Sequence, residues 1–338
     1  MKRYGKVDRR TLERIVFRRL GYKRRDVLIP PRFGEDAALL AVKRRRIVAA
    51  MDPITGSSAR VGWLSVHVNA NDVAVMGAEP RWFSATILLP ENDPELLKGI
   101  MEEVHAACRR LKIALITGHT EVAPEVSRPI VVGHMLGELA SPKPISSSGG
   151  RPGDLLVMSK TAGIEGTAIL AADFERELMD RIPREVLERA RKFYERLSVV
   201  REALMLARGG FPTAMHDPTE GGLLGGVYEL AEASGCSFII YESKVPIAEE
   251  TKWICEALGC DPLKLISSGV LLAAIPRNKI RRCLKAARGL RVIGELRERR
   301  RGNVVVRSDG SEERVRGEVL DELWRLLAER ESRESEDQ

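Results

Sequence analysis

The sequence predicts an α+β protein with two domains. Its 338 residues are more than a single hydrophobic core usually holds, and short apolar runs alternate with amphipathic segments along its length. A stretch rich in serine and glycine, residues 146–153, separates two halves of ordinary domain size. With 44% hydrophobic and 30% charged residues, the composition is that of a globular protein rather than a disordered or fibrous one.

The first half is organised around an apolar helix. This helix begins near Trp63, stops at Gly77 and carries Asn71 and Asp72 near its end. A second helix, with one apolar face, is predicted over residues 94–112. The remaining predicted elements are a helix at 7–20, extended segments at 27–33 and 37–42, and strands at 46–51, 81–89, 113–117 and 130–139. This order predicts a sheet with helices on one side.

The domain boundary is predicted within the stretch 146–153, which its small residues make flexible. The two domains are then an N-terminal α/β sheet domain of residues 1–148 and a C-terminal α+β domain of residues 149–338. In the second domain, strands are predicted at 155–159, 237–241, 270–275 and 291–296, and helices at 184–197, 198–207, 223–233, 248–258 and 279–288. The charged tail, residues 329–338, is expected to fray.

Charge and cysteine content argue against several classes of protein. The net charge of +7 comes from short basic runs, and aromatic residues are only 5%, too few for a platform that stacks single-stranded nucleic acid. No apolar run is long enough to cross a bilayer, so we expect a cytoplasmic protein. The five cysteines include no C-x-x-C pair, which favours buried thiols over a zinc site or disulfides.

Acidic residues recur at the ends of predicted elements, mostly beside glycine or proline: Asp36, Asp52, Asp72, Glu121 and Asp217. Carboxylates at loop tips suit Mg²⁺ bound to a nucleotide triphosphate. An ionised Asp72 in an apolar helix would cost several kcal/mol unless a cation or a hydrogen bond meets it. The structural alternatives are a locally hydrogen-bonded Asp72 and, for Asp52, an Asx turn before the proline that follows it.

Five short motifs occur in an order that resembles one superfamily. They are GEDAA at 34–38, DPITG at 52–56, NDVAVMGAEP at 71–80, GHTE at 118–121 and DPTEGG at 217–222. In this order they resemble the PurM-like superfamily, which is related to aminoimidazole ribonucleotide (AIR) synthase. Within the superfamily, the chain is similar to the archaeal HypE-related hydrogenase expression/formation proteins over nearly its whole length.

The resemblance implies an N-terminal domain that dimerises through its sheet, with ATP and Mg²⁺ held in the cleft between the domains. Members phosphorylate a substrate oxygen or activate it in that way. The metal ligands implied by motif position are Asp36, Asp52, Asp72 and Asp217. The implied nucleotide-binding residues are Gly34, Glu35, Asn71, Gly118, His119, Thr120, Gly221 and Gly222, and the implied catalytic residues are Asp72 and Glu121.

Three features depart from the HypE pattern. HypE ends in a cysteine that accepts a carbamoyl group, whereas the last cysteine here is Cys283, so we expect no reaction on the chain's own tail. His119 stands where related proteins often have aspartate, which removes a hard oxygen ligand. Glu220 stands where HypE commonly has arginine, which replaces a phosphate contact with a negative charge.

The leading hypothesis is an ATP-dependent enzyme, of the phosphoryl-transfer or dehydratase type, that acts on an oxygen of a small molecule or a protein. We expect a homodimer and a protein partner of the hydrogenase-maturation type. The alternative is an ATP-binding regulator or scaffold of the same fold without turnover, which His119 and Glu220 favour. A nucleic-acid-binding protein is a third reading, supported only by the positive charge.

Overall fold

The computed structural model of the chain describes residues 5–6, 11–29, 39–40, 46–55, 57 and 59–336. The chain divides into two compact units. One comprises residues 1–74 and 78–139, and the other comprises residues 75–77 and 140–338. Gly34, Glu35 and Asp36 lie outside the described residues, as do most of the segments predicted to be extended at 27–33 and 37–42.

The first unit contains a five-stranded sheet. Its elements are β1 (Gly5–Lys6), a π-helical turn (Leu12–Val16), β2 (Val27–Ile29), β3 (Leu39–Leu40), β4 (Ile47–Ile54), α1 (Val61–Val75), β5 (Ala78–Leu89), α2 (Pro94–Leu111), β6 (Ala114–Val122) and β7 (Ile130–Leu139). The strand order is β1-β6-β5-β7-β4, while β2 and β3 form a separate pair. Only the β5–β6 pair is parallel among the described pairs of the five-stranded sheet. The predicted apolar helix corresponds to α1 and the strand predicted after it corresponds to β5, so both predictions are confirmed.

Two glycines of β7 allow α1 to lie directly on the sheet. A Cβ atom on Gly133 would lie 2.4 Å from Asn69 Nδ2 and 2.6 Å from Ser65 Oγ. A Cβ atom on Gly137 would lie 2.3 Å from Val73 Cγ1. Because non-bonded atoms do not approach this closely, any side chain at either position would push α1 away from β7.

The face of the sheet that points away from α1 is exposed along β4. Residues directly opposite each other in an antiparallel pair point to the same side, so Asp52 and its partner Gly133 both point toward α1. Met51 and its partner His134 point the other way. Met51 is 63% exposed and Ile47, on the same face, is 37% exposed. We call this surface the open face.

The second unit contains a seven-stranded sheet. Its elements are β8 (Leu155–Met158), α3 (Ile164–Asp173), α4 (Glu175–Leu178), α5 (Arg184–Arg191), α6 (Val200–Arg208), β9 (Ala214–His216), α7 (Gly222–Ala233), β10 (Cys236–Tyr241), α8 (Glu249–Leu258), β11 (Leu272–Ile275), α9 (Ile280–Ala286), β12 (Arg291–Glu298), β13 (Asn303–Val306), β14 (Glu312–Val315) and α10 (Glu322–Glu336). The strand order is β14-β13-β10-β12-β8-β11-β9. Strands β13 and β14 were not predicted from the sequence.

The segment predicted to be a flexible linker is packed against the second unit. Ser147 Oγ donates to the Met215 carbonyl at 3.2 Å, and Ser234 Oγ donates to the Ser147 carbonyl at 2.9 Å. A Cβ atom on Gly149 would lie 2.1 Å from the Thr213 carbonyl oxygen. The small residues therefore permit close packing rather than flexibility, and the domain boundary after residue 148 stays a prediction.

The tail predicted to fray, residues 329–338, begins within helix α10. Helix α10 continues to Glu336. Two of its apolar residues, Leu323 and Leu326, are buried. Arg330 Nη1 donates to the Asp173 carbonyl at 2.6 Å and its guanidinium lies 5.0 Å from the centre of the Phe174 ring. Long charged side chains thus hold this helix, because their stems pack while their ends bond.

Gly133→Ala is expected to destabilise the protein by about 2 kcal/mol or more, because the added methyl group displaces Asn69 and Ser65. Gly99→Ala is the matched control. Gly99 lies in α2 and a Cβ atom there meets nothing within 4 Å, so alanine should stabilise the helix by about 0.5–1 kcal/mol. Urea unfolding measures both. Equal effects of the two substitutions would contradict the close approach of α1.

Candidate functional site

Asp52 is held in place by a side chain of α1. The Asp52 N–H donates to Asn69 Oδ1 at 2.9 Å, and Asn69 Nδ2 donates to the Asp52 carbonyl at 3.2 Å. Asn69 Nδ2 also donates to the Ser65 carbonyl at 2.9 Å, one turn earlier in α1. Since β4 is the last strand of the sheet, Asn69 satisfies backbone groups that an edge strand would otherwise leave unpaired. The backbone of Asp52 is thereby fixed on the α1 side of the sheet.

Asn71 and Asp72 follow in the same helix. Asn71 is fully buried, whereas Asp72 is half-buried. Asp72 lies three residues after Asn69, so the two side chains are neighbours on the helix surface. The structure therefore brings Asp72 and Asp52 to the same side of the sheet. The partial exposure of Asp72 also makes its carboxylate less costly than the fully apolar surroundings expected from the sequence.

The GHTE motif lies in β6, where strand alternation divides its residues between the two faces. Thr120 is buried on the α1 side. His119 and Glu121 point to the open face, where His119 Nε2 lies 3.4 Å from Glu121 Oε2. Gly118 is on the α1 side, and a Cβ atom there would lie 2.6 Å from the Ala85 carbonyl oxygen.

The residues of the GHTE motif lie apart from Asp52, although the motif order had placed them at one site. Strands β5 and β7 lie between β6 and β4, so the strands that carry Thr120 and Asp52 are about 14 Å apart across three strand spacings. One metal ion cannot bind both. His119 and Glu121 are on the face opposite to Asp52. Asp52 thus lies on the side of the sheet that α1 and its Asp72 cover, whereas His119 and Glu121 lie on the other side.

In the second unit, the DPTEGG motif connects β9 to α7. Asp217 is 3% exposed. Gly221 and Gly222 have positive φ angles of 75° and 64°. Residues with a Cβ atom rarely adopt such angles. A Cβ atom on Gly221 would lie 2.7 Å from the Val319 carbonyl oxygen, and one on Gly222 would lie 2.6 Å from the Leu265 carbonyl oxygen. Both the backbone angles and the packing therefore require glycine.

The N–H groups of both glycines bond within the protein. Gly221 N–H donates to Asp321 Oδ2 at 2.7 Å, and Gly222 N–H donates to the Thr219 carbonyl at 3.1 Å. These two donors do not face a ligand. The two glycines permit the close packing of the turn. That this turn contacts a nucleotide stays a prediction, and the contact would have to be made by other atoms of the turn.

Two buried carboxylates near this turn carry perturbed pKa values. Burial raises the pKa of Glu165 to about 7, and the charges of Asp321 and Asp217 act in the same direction. Burial raises the pKa of Asp321 to about 6, although N–H donors from Leu323 and Gly221 oppose the rise. Sequence reasoning missed Glu165 and Asp321 because their burial depends on contacts with residues far away in the chain.

The cysteines are poorly suited to act as nucleophiles. Four are buried, and Cys260 is partly exposed. Burial raises the pKa of Cys108, Cys236 and Cys283, that of Cys283 to about 11. The expectation of buried thiols is confirmed for these positions.

No helix in the described ranges combines the length and the hydropathy that a bilayer crossing needs. Within the same residues, no three histidine, cysteine or acidic side chains are arranged to hold a metal ion. Asp36, the remaining carboxylate of the implied metal set, lies outside the described residues.

Both units match models of one family. The N-terminal domain of AIR synthase related protein matches residues 34–139, and its C-terminal domain matches residues 151–307. The chain therefore belongs to the AIR synthase related protein family, and it has the PurM-like two-domain fold. The predicted superfamily and fold class are confirmed.

Its relatives include hydrogenase maturation proteins. A putative hydrogenase expression/formation protein of Methanocaldococcus jannaschii is 31% identical over 264 residues, which are 75% of each chain. Carbamoyl dehydratase HypE of Cupriavidus necator is 31% identical over 292 residues, 82% of this chain and 81% of its own.

Two solved structures share the fold. A crystal structure of hydrogenase maturation protein HypE in complex with ATP has a TM-score of 0.78 at 24% identity and covers 94% of this chain and 96% of its own. A HypE–HypF complex has a TM-score of 0.69 at 25% identity and covers 83% and 93% respectively.

Glu165→Gln is expected to become more stable relative to the wild type as pH rises. The pKa of Glu165 is raised from 4.5 to about 7, so its stabilising protonated state is complete below pH 4.5 and is lost as pH rises through 7. Glutamine does not titrate, so urea unfolding should show a relative gain of about 3 kcal/mol between about pH 4.5 and pH 8.5.

Glu175→Gln is the control of opposite sign. A hydrogen bond from Arg191 lowers the pKa of Glu175, so this carboxylate stabilises the fold above its ordinary pKa and the variant should lose stability relative to the wild type as pH rises. A pH-independent effect of Glu165→Gln would contradict the buried, protonated Glu165.

Proposed function

We propose that the chain binds ATP with Mg²⁺ and uses it to phosphorylate or otherwise activate an oxygen of an acceptor molecule. The observation that carries this proposal is the placement of Asp52 and Asp72 on one side of the first unit's sheet, with Asn69 bonded to both backbone groups of Asp52. Family membership and the ATP-bound HypE structure support it.

The donor set suits magnesium. Mg²⁺ usually takes one or two carboxylates and keeps waters or phosphate oxygens for its other positions, so two aspartates need no third protein ligand. When bound, Mg²⁺ would neutralise negative charge on the phosphoryl group. Asp52 and Asp72 would hold the ion, and the buried Asn71 would support the position of Asp72. Asp36 is a further candidate ligand from its motif.

The contribution of Asn69 is orientation. A side chain whose three hydrogen bonds all go to backbone groups fixes the distance between β4 and α1. The carboxylates carried by these two elements are then preorganised for a cation rather than assembled around it, which reduces the cost of binding.

The acceptor belongs to another molecule in this proposal. The burial of Cys108, Cys236, Cys255 and Cys283 leaves these thiols unable to reach a phosphorylated intermediate. A small molecule or a residue of a protein partner would supply the oxygen. The HypE–HypF complex supports a partner of the hydrogenase-maturation type.

Asp72→Asn is expected to raise the dissociation constant for ATP in the presence of Mg²⁺ by at least about tenfold and to abolish phosphate release. The substitution keeps the size of the side chain but removes the charge that would hold the ion. Titration calorimetry and a phosphate-release assay measure the two effects.

Glu125→Gln is the matched control, since Glu125 is an exposed acid of the same unit. It should leave both quantities unchanged. Wild-type affinity for ATP in Asp72→Asn would refute the proposed role of Asp72, and absence of ATP binding by the wild type would refute the proposed function.

We also propose that a second copy of the chain covers the open face. The exposed side chains of Ile47 and Met51 are apolar, and His134 beside them is half-buried. Apolar surface of this kind on a sheet gains stability when a second sheet removes it from water. His119 and Glu121 would then lie at the interface between the copies.

Met51→Lys is expected to weaken dimerisation by at least about tenfold, because the lysine charge would have to be buried at the interface. Met179→Lys is the control, since Met179 in the second unit is 59% exposed and Met51 is 63% exposed. Analytical ultracentrifugation over a concentration series measures both variants. Identical behaviour of the two would exclude the open face as the interface.

A regulator without turnover is the second candidate function. It is favoured by one observation: the N–H groups of Gly221 and Gly222 are already bonded within the protein. Tight ATP binding without phosphate release from the wild type, together with copurification of a partner, would select this function over the enzyme.

A further inference from the structure

The turn at Gly221 and Gly222 needs an external restraint. Two consecutive glycines with positive φ form the connection between β9 and α7, and glycine is the residue with the greatest freedom to leave that conformation. Within the turn, the hydrogen bond from Gly222 N–H to the Thr219 carbonyl is 3.1 Å long. The stronger restraint comes from residues about one hundred positions later.

A short segment after β14 supplies that restraint. We call residues 316–321 the strap. The Val319 carbonyl lies directly against Gly221, at 2.7 Å from the position of a Cβ atom. Asp321, the last residue of the strap, accepts the Gly221 N–H at 2.7 Å through Oδ2 and the Leu323 N–H at 2.8 Å through Oδ1. One carboxylate therefore joins the turn to the start of α10.

The C-terminal end of the strap is anchored through the next residue, Glu322, to the loop of residues 263–265. Glu322 N–H donates to the Lys264 carbonyl at 3.2 Å. The same loop contacts the motif from below, because Leu224 N–H donates to the Leu263 carbonyl at 2.9 Å and the Leu265 carbonyl lies against Gly222. The strap and the loop thus enclose the turn from two sides.

A carboxylate is the group that this position requires. Asp321 is 6% exposed. It contacts backbone donors through both oxygens. An asparagine would present one oxygen and one NH₂ group, so one of the two N–H donors would face another donor and lose its bond. Burying the Asp321 carboxylate costs free energy. The hydrogen bonds that this carboxylate accepts from the two segments offset that cost.

We infer that Asp321 is a positioning residue for residues 217–222. Its carboxylate holds Gly221 in the left-handed conformation and thereby fixes the direction in which Asp217, Thr219 and Glu220 present their side chains. This inference rests on the proposed function, since the turn matters for catalysis only if the chain binds a nucleotide. The strap is then part of the site's framework although it lies far from the motif in sequence.

The test compares Asp321→Asn with Glu318→Gln in the full chain. Both substitutions remove one negative charge from the strap, but Glu318 is exposed whereas Asp321 is buried. Backbone hydrogen exchange of residues 217–225 is measured without nucleotide, and the ATP dissociation constant, KM and kcat are measured with Mg²⁺. Asp321→Glu, which keeps a carboxylate, is measured alongside.

Asp321→Asn should accelerate exchange in this segment by about tenfold or more and raise the dissociation constant and KM for ATP by about tenfold, with kcat changed less. Glu318→Gln should change none of these, and Asp321→Glu should recover most of the loss. If Asp321→Asn does not fold, Asp321→Glu is compared directly with Glu318→Gln and should still raise exchange and KM by about threefold, because its longer side chain shifts the acceptor.

Unchanged exchange in the tested Asp321 variant would overturn the inference. Faster exchange with unchanged ATP binding would also overturn it, because Asp321 would then be merely structural. Tighter ATP binding would show that the carboxylate competes with the nucleotide instead of positioning the turn. If the wild type binds no ATP, the proposed function falls, whereas the exchange measurement alone decides whether Asp321 restrains the turn.

Discussion

The contact between Asn69 and the backbone of Asp52 is the constraint on which the first unit depends. It closes the edge of the sheet, sets the spacing of β4 and α1, and requires glycine at position 133 so that the amide can reach the strand. A helix packed only by apolar side chains could slide along the sheet by small steps. A buried amide with three backbone partners permits one register, because any shift leaves polar groups unpaired.

This constraint also relates two acidic residues of the first unit. Asp72 is carried by the helix that Asn69 aligns, and Asp52 is the residue that Asn69 holds. The second unit uses a different device, since there a buried carboxylate, Asp321, fixes a glycine turn. In both units, a polar side chain bonded to backbone groups determines where the motif residues lie, and the hydrophobic core alone would not.

Much of this organisation could be predicted from the sequence. The apolar helix ending at Gly77 and the amphipathic helix α2 were predictable because local periodicity and stop signals depend on neighbouring residues. The placement of His119 and Glu121 on the open face was not, since it depends on the strand order and on which face α1 covers. The role of Asp321 was not predictable either, because nothing near it in sequence indicates a contact with Gly221. The role of the small residues at 146–153 was misjudged, as packing and flexibility favour the same residue types.

In the proposed function, Asp52 and Asp72 together hold a nucleotide-bound divalent cation. A crystal structure with a non-hydrolysable ATP analogue and Mn²⁺ in place of Mg²⁺ tests it most directly, because manganese is located by its anomalous scattering. We expect a manganese peak within about 2.3 Å of carboxylate oxygens of Asp52 and Asp72, with the phosphates completing the coordination. A nucleotide bound with its metal ion away from both aspartates would show that these residues are not the metal ligands.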